Sequence, residues 1–188
     1  MSWHRVTLPL AFFAAFVPVA GSAGTSEMSL ETVSCEVRGG GCLKALSPSH
    51  LLATFGGTVG TGSAPQWEHV YYDGRTILFR LRSEDVHVAS CRPDPNGPCK
   101  PPGVASRAEL VGIGTFTTAT DTIAAPANFQ VEVFDPDPCN GDERDTYSIT
   151  VRRGLVAGQG EIVHSISGSL DCGNLTIDAP WARSRQPR

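Results

Sequence analysis

The segment from Asp135 to Asp145 crowds Asp135, Asp137, Asn140, Asp142, Glu143 and Asp145 into eleven residues. That density of hard oxygen ligands suits calcium. The spacing departs from the EF-hand, because Cys139 stands at the third ligand position and Asn140 where that loop requires glycine. Pro136 and Pro138 stiffen the segment further. The plainer reading is a solvated hairpin loop of turn formers with a cysteine near its tip. Asp135, Asp137, Asn140, Asp142 and Asp145 are therefore a weak calcium set, and the sequence suggests no other cofactor.

Outside the N-terminal segment the histidines are His50, His69, His87 and His164. None stands at a metal-ligand spacing from another, and no H-E-x-x-H occurs. On alternating strands His69 shares a face with Trp67 and Tyr71, and His164 shares one with Ile162 and Ile166. Both read as hydrogen-bonded structural histidines. His87 lies opposite Val86 and Val88 and reads as solvent-facing. No G-x-S-x-G elbow, phosphate-binding loop or dinucleotide fingerprint is present. Glu68, Glu84, Asp85 and Glu109 sit on or beside strands, where exposed acids are ordinary. The catalytic set is empty, and the chain does not read as an enzyme. Trp67 and Tyr71 face one way and Tyr72 the other, so one set belongs to the core. Burial of Trp67 separates that reading from a sugar-stacking platform.

The cysteines point to an oxidising compartment. The chain starts with Arg5 followed by the apolar run Leu8 to Ala20, and Gly21-Ser22-Ala23 offers small residues for cleavage. Residues 1–23 read as a signal peptide, the run being short for a membrane span. The expected destination is secreted, either extracellular or periplasmic, with no later membrane span. Removing one Arg and no acid shifts the formal charge from −4 to −5, which gives no footprint for nucleic acid or anionic lipid. The six cysteines all follow the leader, and an even count in an exported chain favours disulfides. Local spacing predicts Cys35 with Cys42, Cys91 with Cys99 and Cys139 with Cys172. A swapped pairing among the last four stays open.

These residues need a frame, and the hydrophobic pattern supplies one. Residues 24–38 read as a lead-in, 39–179 as one β domain and 180–188 as a basic flexible tail. Leu51 to Phe55 is a strand ended by Gly56 and Gly57, and Asp73-Gly74 is a hairpin turn. Ile77, Phe79 and Leu81 share a face, but Val86 and Val88 have the opposite parity. A bulge or bend near Ser83 to Asp85 must absorb that change. Glu109 to Thr118 is a strand weakened by Gly112 and Gly114. Phe129 to Phe134 and Tyr147 to Val151 form a hairpin around the acidic loop, and Ile162 to Ile166 and Leu175 to Ile177 complete the series. With no helical stripe after the leader, the expected fold is all-β. It is a single antiparallel barrel or sandwich of about eight strands, largely a meander, with disulfide-tied loops.

Gly39-Gly-Gly, Ala53-Thr-Phe-Gly-Gly57, the hairpin Phe129 to Val151, Ser167-Gly-Ser-Leu170 and Gly173-Asn-Leu-x-Ile177 form an ordered set. Over residues 39–178 it resembles a domain of secreted bacterial proteins, often found downstream of choice-of-anchor modules. This chain differs in its cysteines, in a longer segment 91–103 and in ending on Asp178 where a histidine is common. The resemblance implies an extracellular β-rich module without established chemistry, and it assigns no functional residues. The leading expectation is a secreted binding or structural module, monomeric, with an unidentified extracellular or cell-surface partner. Two alternatives differ in kind: an enzyme or small-ligand carrier using a barrel cavity, and a hydrolase inhibitor presenting loop 91–99.

Overall fold

In the computed structural model, residues 35–44, 51–60, 64–93, 104–136 and 144–178 are described. They form nine strands: β1 (Glu36–Lys44), β2 (Leu51–Val59), β3 (Gln66–Asp73), β4 (Thr76–Arg92), β5 (Arg107–Thr118), β6 (Ala125–Phe134), β7 (Thr146–Arg153), β8 (Ile162–Ser169) and β9 (Cys172–Asp178). All pairings are antiparallel, and the order across the sheet is β8-β7-β6-β5-β4-β3-β2-β1-β9. The first eight strands are a meander. The ninth crosses to the far edge and pairs with β1.

That crossing forces the sheet to curl. In a flat sheet of nine strands the edge strands would lie about 38 Å apart, at about 4.8 Å per step. Yet β8 ends at Ser169 and β9 begins at Cys172, a reach of about 10 Å at full extension. The result is a curled half-barrel. Phe55 on β2 stacks on Tyr147 of β7 with ring centroids 3.7 Å apart, so one part of the sheet packs on the other.

β4 bends to serve both parts. Its early residues pair with β3, and its later residues extend beyond β3 to pair with β5. The register slips between Ser83 and Asp85, where the parity change in the sequence demands it. Beyond the slip Val86 is again buried, while His87 is exposed.

Two boundary expectations change. The expected lead-in to residue 38 already contains the start of β1 at Glu36. β2 runs through Gly56 and Gly57 to Val59. Gly57 does not end the strand; it makes room, because a Cβ there would lie 2.7 Å from the Trp67 ring and 2.1 Å from the Gln66 carbonyl oxygen. Gly39 on β1 has φ +131°, and a Cβ would meet the Asn174 carbonyl oxygen at 2.1 Å, so β1 and β9 approach closely there.

The cysteine pairing is corrected as well. Cys35 bonds Cys91, and Cys42 bonds Cys172. Cys35 immediately precedes β1 and Cys42 lies within it, and seven extended steps separate their Cα atoms by about 23 Å, far beyond disulfide reach. Cys42 instead stands directly across from Cys172 in the β1–β9 register, at a Cα separation of 5.1 Å. Cys91, at the end of β4, reaches Cys35 rather than Cys99. Cys99 and Cys139 lie outside the described residues, as does most of loop 91–99.

Candidate functional site: the sealed interior, the capped edge and the outer groove

A chain of polar groups runs through the interior. Trp67 is 1% exposed, His69 0% and Tyr147 1%. Trp67 Nε1–H donates to the Tyr147 hydroxyl at 3.4 Å. The indole donates, and the tyrosine hydroxyl shares a second hydrogen bond with His69 Nδ1, 3.2 Å away. His69 Nε2 then shares a hydrogen bond with His164 Nε2 at 3.0 Å. The His164 ring also stacks on Phe79 at 4.4 Å and meets Tyr71 at 5.1 Å.

Every member of this chain is held neutral. Burial pushes His69 down to about 3, and the neighbouring His164 pushes the same way. Burial brings His164 down to about 4. Burial also raises the Tyr147 phenol above its ordinary range, against a smaller opposing effect of the Trp67 hydrogen bond. Among the described residues no buried side-chain nitrogen or oxygen lacks a partner. This is a satisfied core network, and its burial in neutral form leaves no charged acid or base near neutral pH. The sequence placed both histidines as structural. It could not show that residues 95 positions apart touch. Burial of Trp67 also settles the aromatic cluster as core.

The acidic segment does something different from its first appearance. Asp145 Oδ2 accepts the Leu175 N–H at 2.7 Å, and Asp135 Oδ2 accepts the Ile177 N–H at 3.2 Å. Leu175 and Ile177 belong to β9, whose other side pairs with β1. The two carboxylates thus cap the outer edge of β9 where it passes the ends of β7 and β6. Leu170 N–H donates to the Asp145 carbonyl and Asp171 N–H to the Cys42 carbonyl, at 2.8 and 2.9 Å. Together these bonds fix the crossover. Asp137, Asn140 and Asp142 lie outside the described residues. Among the described residues no group of three or more His, Cys, Asp or Glu is placed to hold a metal ion.

The outward face of β4 to β8 carries a groove of about 310 Å³. Register builds it in two rows. One row reads Ser90, Glu109, Glu132, Ser148, Ser167, and the next Arg92, Arg107, Phe134, Thr146, Ser169. Gln130 Nε2–H donates to Glu109 Oε1 at 2.8 Å, and the Ser90 hydroxyl to Oε2 at 3.4 Å. The Arg107 guanidinium lies 4.3 Å over the Phe134 ring. Glu109 opposes Glu132, and Arg92 opposes Arg107. Such like-charge pairs cost a sheet a few tenths of a kcal/mol or more, offset at Glu109 by its hydrogen bonds to Gln130 and Ser90.

Sequence reading named Glu109 as a strand acid but not its row, because a row exists only once register is known. Glu68 is tied to Arg80 at 2.7 Å and Arg82 at 3.3 Å. Glu84 and Asp85 are exposed. No helix among the described residues is long and apolar enough to cross a membrane. No protein-family model, curated protein or solved structure matches this chain. The fold and the site therefore stand on their own geometry: a disulfide-tied antiparallel half-barrel with a filled interior and a polar outer groove.

Proposed function

We propose that the chain is a secreted, non-catalytic binding or structural module that acts through its exterior, with the groove across β4 to β8 as its contact face. One observation carries the reading. The interior, where a carrier or barrel enzyme would hold its ligand, is occupied by Trp67, Tyr147, Leu81, Leu110 and Ile149, each at 1% exposure or less. The groove outside presents acids, guanidinium groups and hydroxyls at matched positions on five strands. The two disulfides fit an oxidising compartment, and a rigid sheet is a precise support for side chains that recognise a polar partner.

The test is retention of a partner from the producing organism's surface and secreted material on the immobilised oxidised protein. Arg92→Ser/Glu132→Gln alters the groove at two exposed positions. The reading expects a species retained by the wild type and lost from this variant, with both showing the same circular dichroism. Equal retention by the two proteins removes the groove from the account. A small molecule carried through native mass spectrometry would favour the interior-cavity alternative instead.

A further inference from the structure

The half-barrel has a second edge, and no described strand pairs with it. Among the described residues β8 is hydrogen-bonded to β7 alone. Its eight residues, Ile-Val-His-Ser-Ile-Ser-Gly-Ser, include no charge and no proline. Five of them are exposed: Ile162, Ser165, Ser167, Gly168 and Ser169. Natural sheets protect edges with lysines, prolines, bulges, very short strands or a covering segment. The one irregularity here lies at the start, between Val151 and Arg152 on β7. From Ser165 to Ser169 the strand is regular, and none of these edge devices occurs on it among the described residues.

Large apolar side chains sit at the same strand's entrance. Ile162 is 51% exposed, and Leu155 and Val156 in the preceding turn are 54% and 60% exposed. That turn is held in place from inside. The buried Asn128 amide donates to the Gly154 and Gln159 carbonyls, both at 3.0 Å, and its oxygen accepts the Gly158 N–H at 3.1 Å. The apolar residues are thus presented by a fixed loop rather than by a loose one.

We propose that β8 is an assembly edge, on which a second copy of this chain adds its own β8 antiparallel about a two-fold axis. Self-pairing suits this strand for two reasons. An uncharged strand opposes no like charge when paired with itself. Two-fold antiparallel pairing also sets the start of one β8 beside the end of the other. Glu161 precedes the start, paired with Arg153 at 4.0 Å, and Arg144 borders the end, paired with Asp171 at 3.8 Å. Each junction between one start and the other end therefore brings together two acids and two guanidinium groups, with no unbalanced charge. The contact is isologous and closes at two copies. It continues the sheet through main-chain hydrogen bonds, as in strand addition to an edge. It leaves the filled interior untouched and brings the outer grooves of both copies into one continuous face.

The experiment is light scattering on the eluting oxidised protein, with sedimentation equilibrium up to about 1 mM. The expected result is a mass that doubles with concentration. Ser165→Lys/Ser167→Lys and Ser165→Glu/Ser167→Glu each place like charges across the paired edges at exposed positions, at the loss of one hydroxyl contact between Ser165 and Thr150 at 3.3 Å. Each variant alone stays at single mass, and an equimolar mixture of the two regains the doubled mass. Circular dichroism and thermal melting confirm that both variants fold. A wild-type protein that stays at single mass throughout overturns the proposal. So does a doubled mass that both variants keep, which would put the interface elsewhere. A strand from an unrelated protein as the occupant would show as single mass throughout, and so counts against it.

Discussion

β9 and β8 are the two edges of one sheet, and the molecule treats them in opposite ways. β9 is locked to β1 by the Cys42–Cys172 bond, and its outward N–H groups at Leu175 and Ile177 are taken by Asp145 and Asp135. β8 carries no charge and is mostly exposed, and His164 links it across the core to His69. An unpaired strand edge is a template for further pairing. Capping one edge and leaving the other directs that pairing to one place. The two edges also differ in chemistry, since anionic acceptors hold β9 and neutral imidazoles hold β8.

Acid should weaken the β8 side through its histidines. Both histidines have folded values below the ordinary 6.5, so the unfolded chain binds more protons. Their contribution is fully present above about pH 6.5, falls as the pH drops through about 4, and is gone below about 3. The slope approaches about 1.4 kcal/mol per pH unit for each imidazole, with His164 discounted because it is half-buried. Roughly 5 kcal/mol of stability should disappear between pH 7 and pH 4. Urea unfolding across that range measures it, and His69→Phe/His164→Phe should flatten the profile.

On the β9 side the largest single contribution is the Cys42–Cys172 bond, which spans a sequence separation of 130. Cys42→Ser/Cys172→Ser should cost about 5 kcal/mol on the chain-entropy account. Denaturant midpoints of oxidised wild type and variant test this, and a loss well under 1 kcal/mol would mean that hydrogen bonding alone holds β9. Asp145→Ala and Asp135→Ala each strip an acceptor from a strand N–H and should cost about 1 to 3 kcal/mol. Calcium-independent melting of the wild type, set against these losses, would assign both aspartates to the edge rather than to a metal. The smallest effect belongs to the outer face. Arg92→Ser/Glu132→Gln should stay within about 0.5 kcal/mol of wild type, so any loss of partner binding there is not a folding loss.

Much of the frame was legible in the sequence because its signals are local. The Phe129 to Phe134 and Tyr147 to Val151 alternations became the β6–β7 hairpin, and the Val86 parity change became the β4 register slip. β1 was hidden because Gly39-Gly-Gly has no alternation to read. The disulfides were misread for a related reason. Short spacing suggested closed loops, but β1 is extended, and its cysteines find partners 56 and 130 residues away. The site was harder still. A carboxylate reads the same whether it binds calcium or caps an N–H, and only the position of β9 distinguishes the two for Asp135 and Asp145. The pairing of His69 with His164, and the groove rows, depend on curl and register, which no short window of sequence contains.

Residue-resolved amide hydrogen exchange compares the two edges most directly. In dilute oxidised protein at neutral pH, the Leu175 and Ile177 amides should exchange as slowly as those of central strands, while the outward amides of β8 exchange quickly. Raising the concentration should slow the β8 amides and leave Leu175 and Ile177 unchanged. Fast exchange at Leu175 and Ile177, or β8 amides that are already slow when dilute, would contradict a sheet with one sealed edge and one open one.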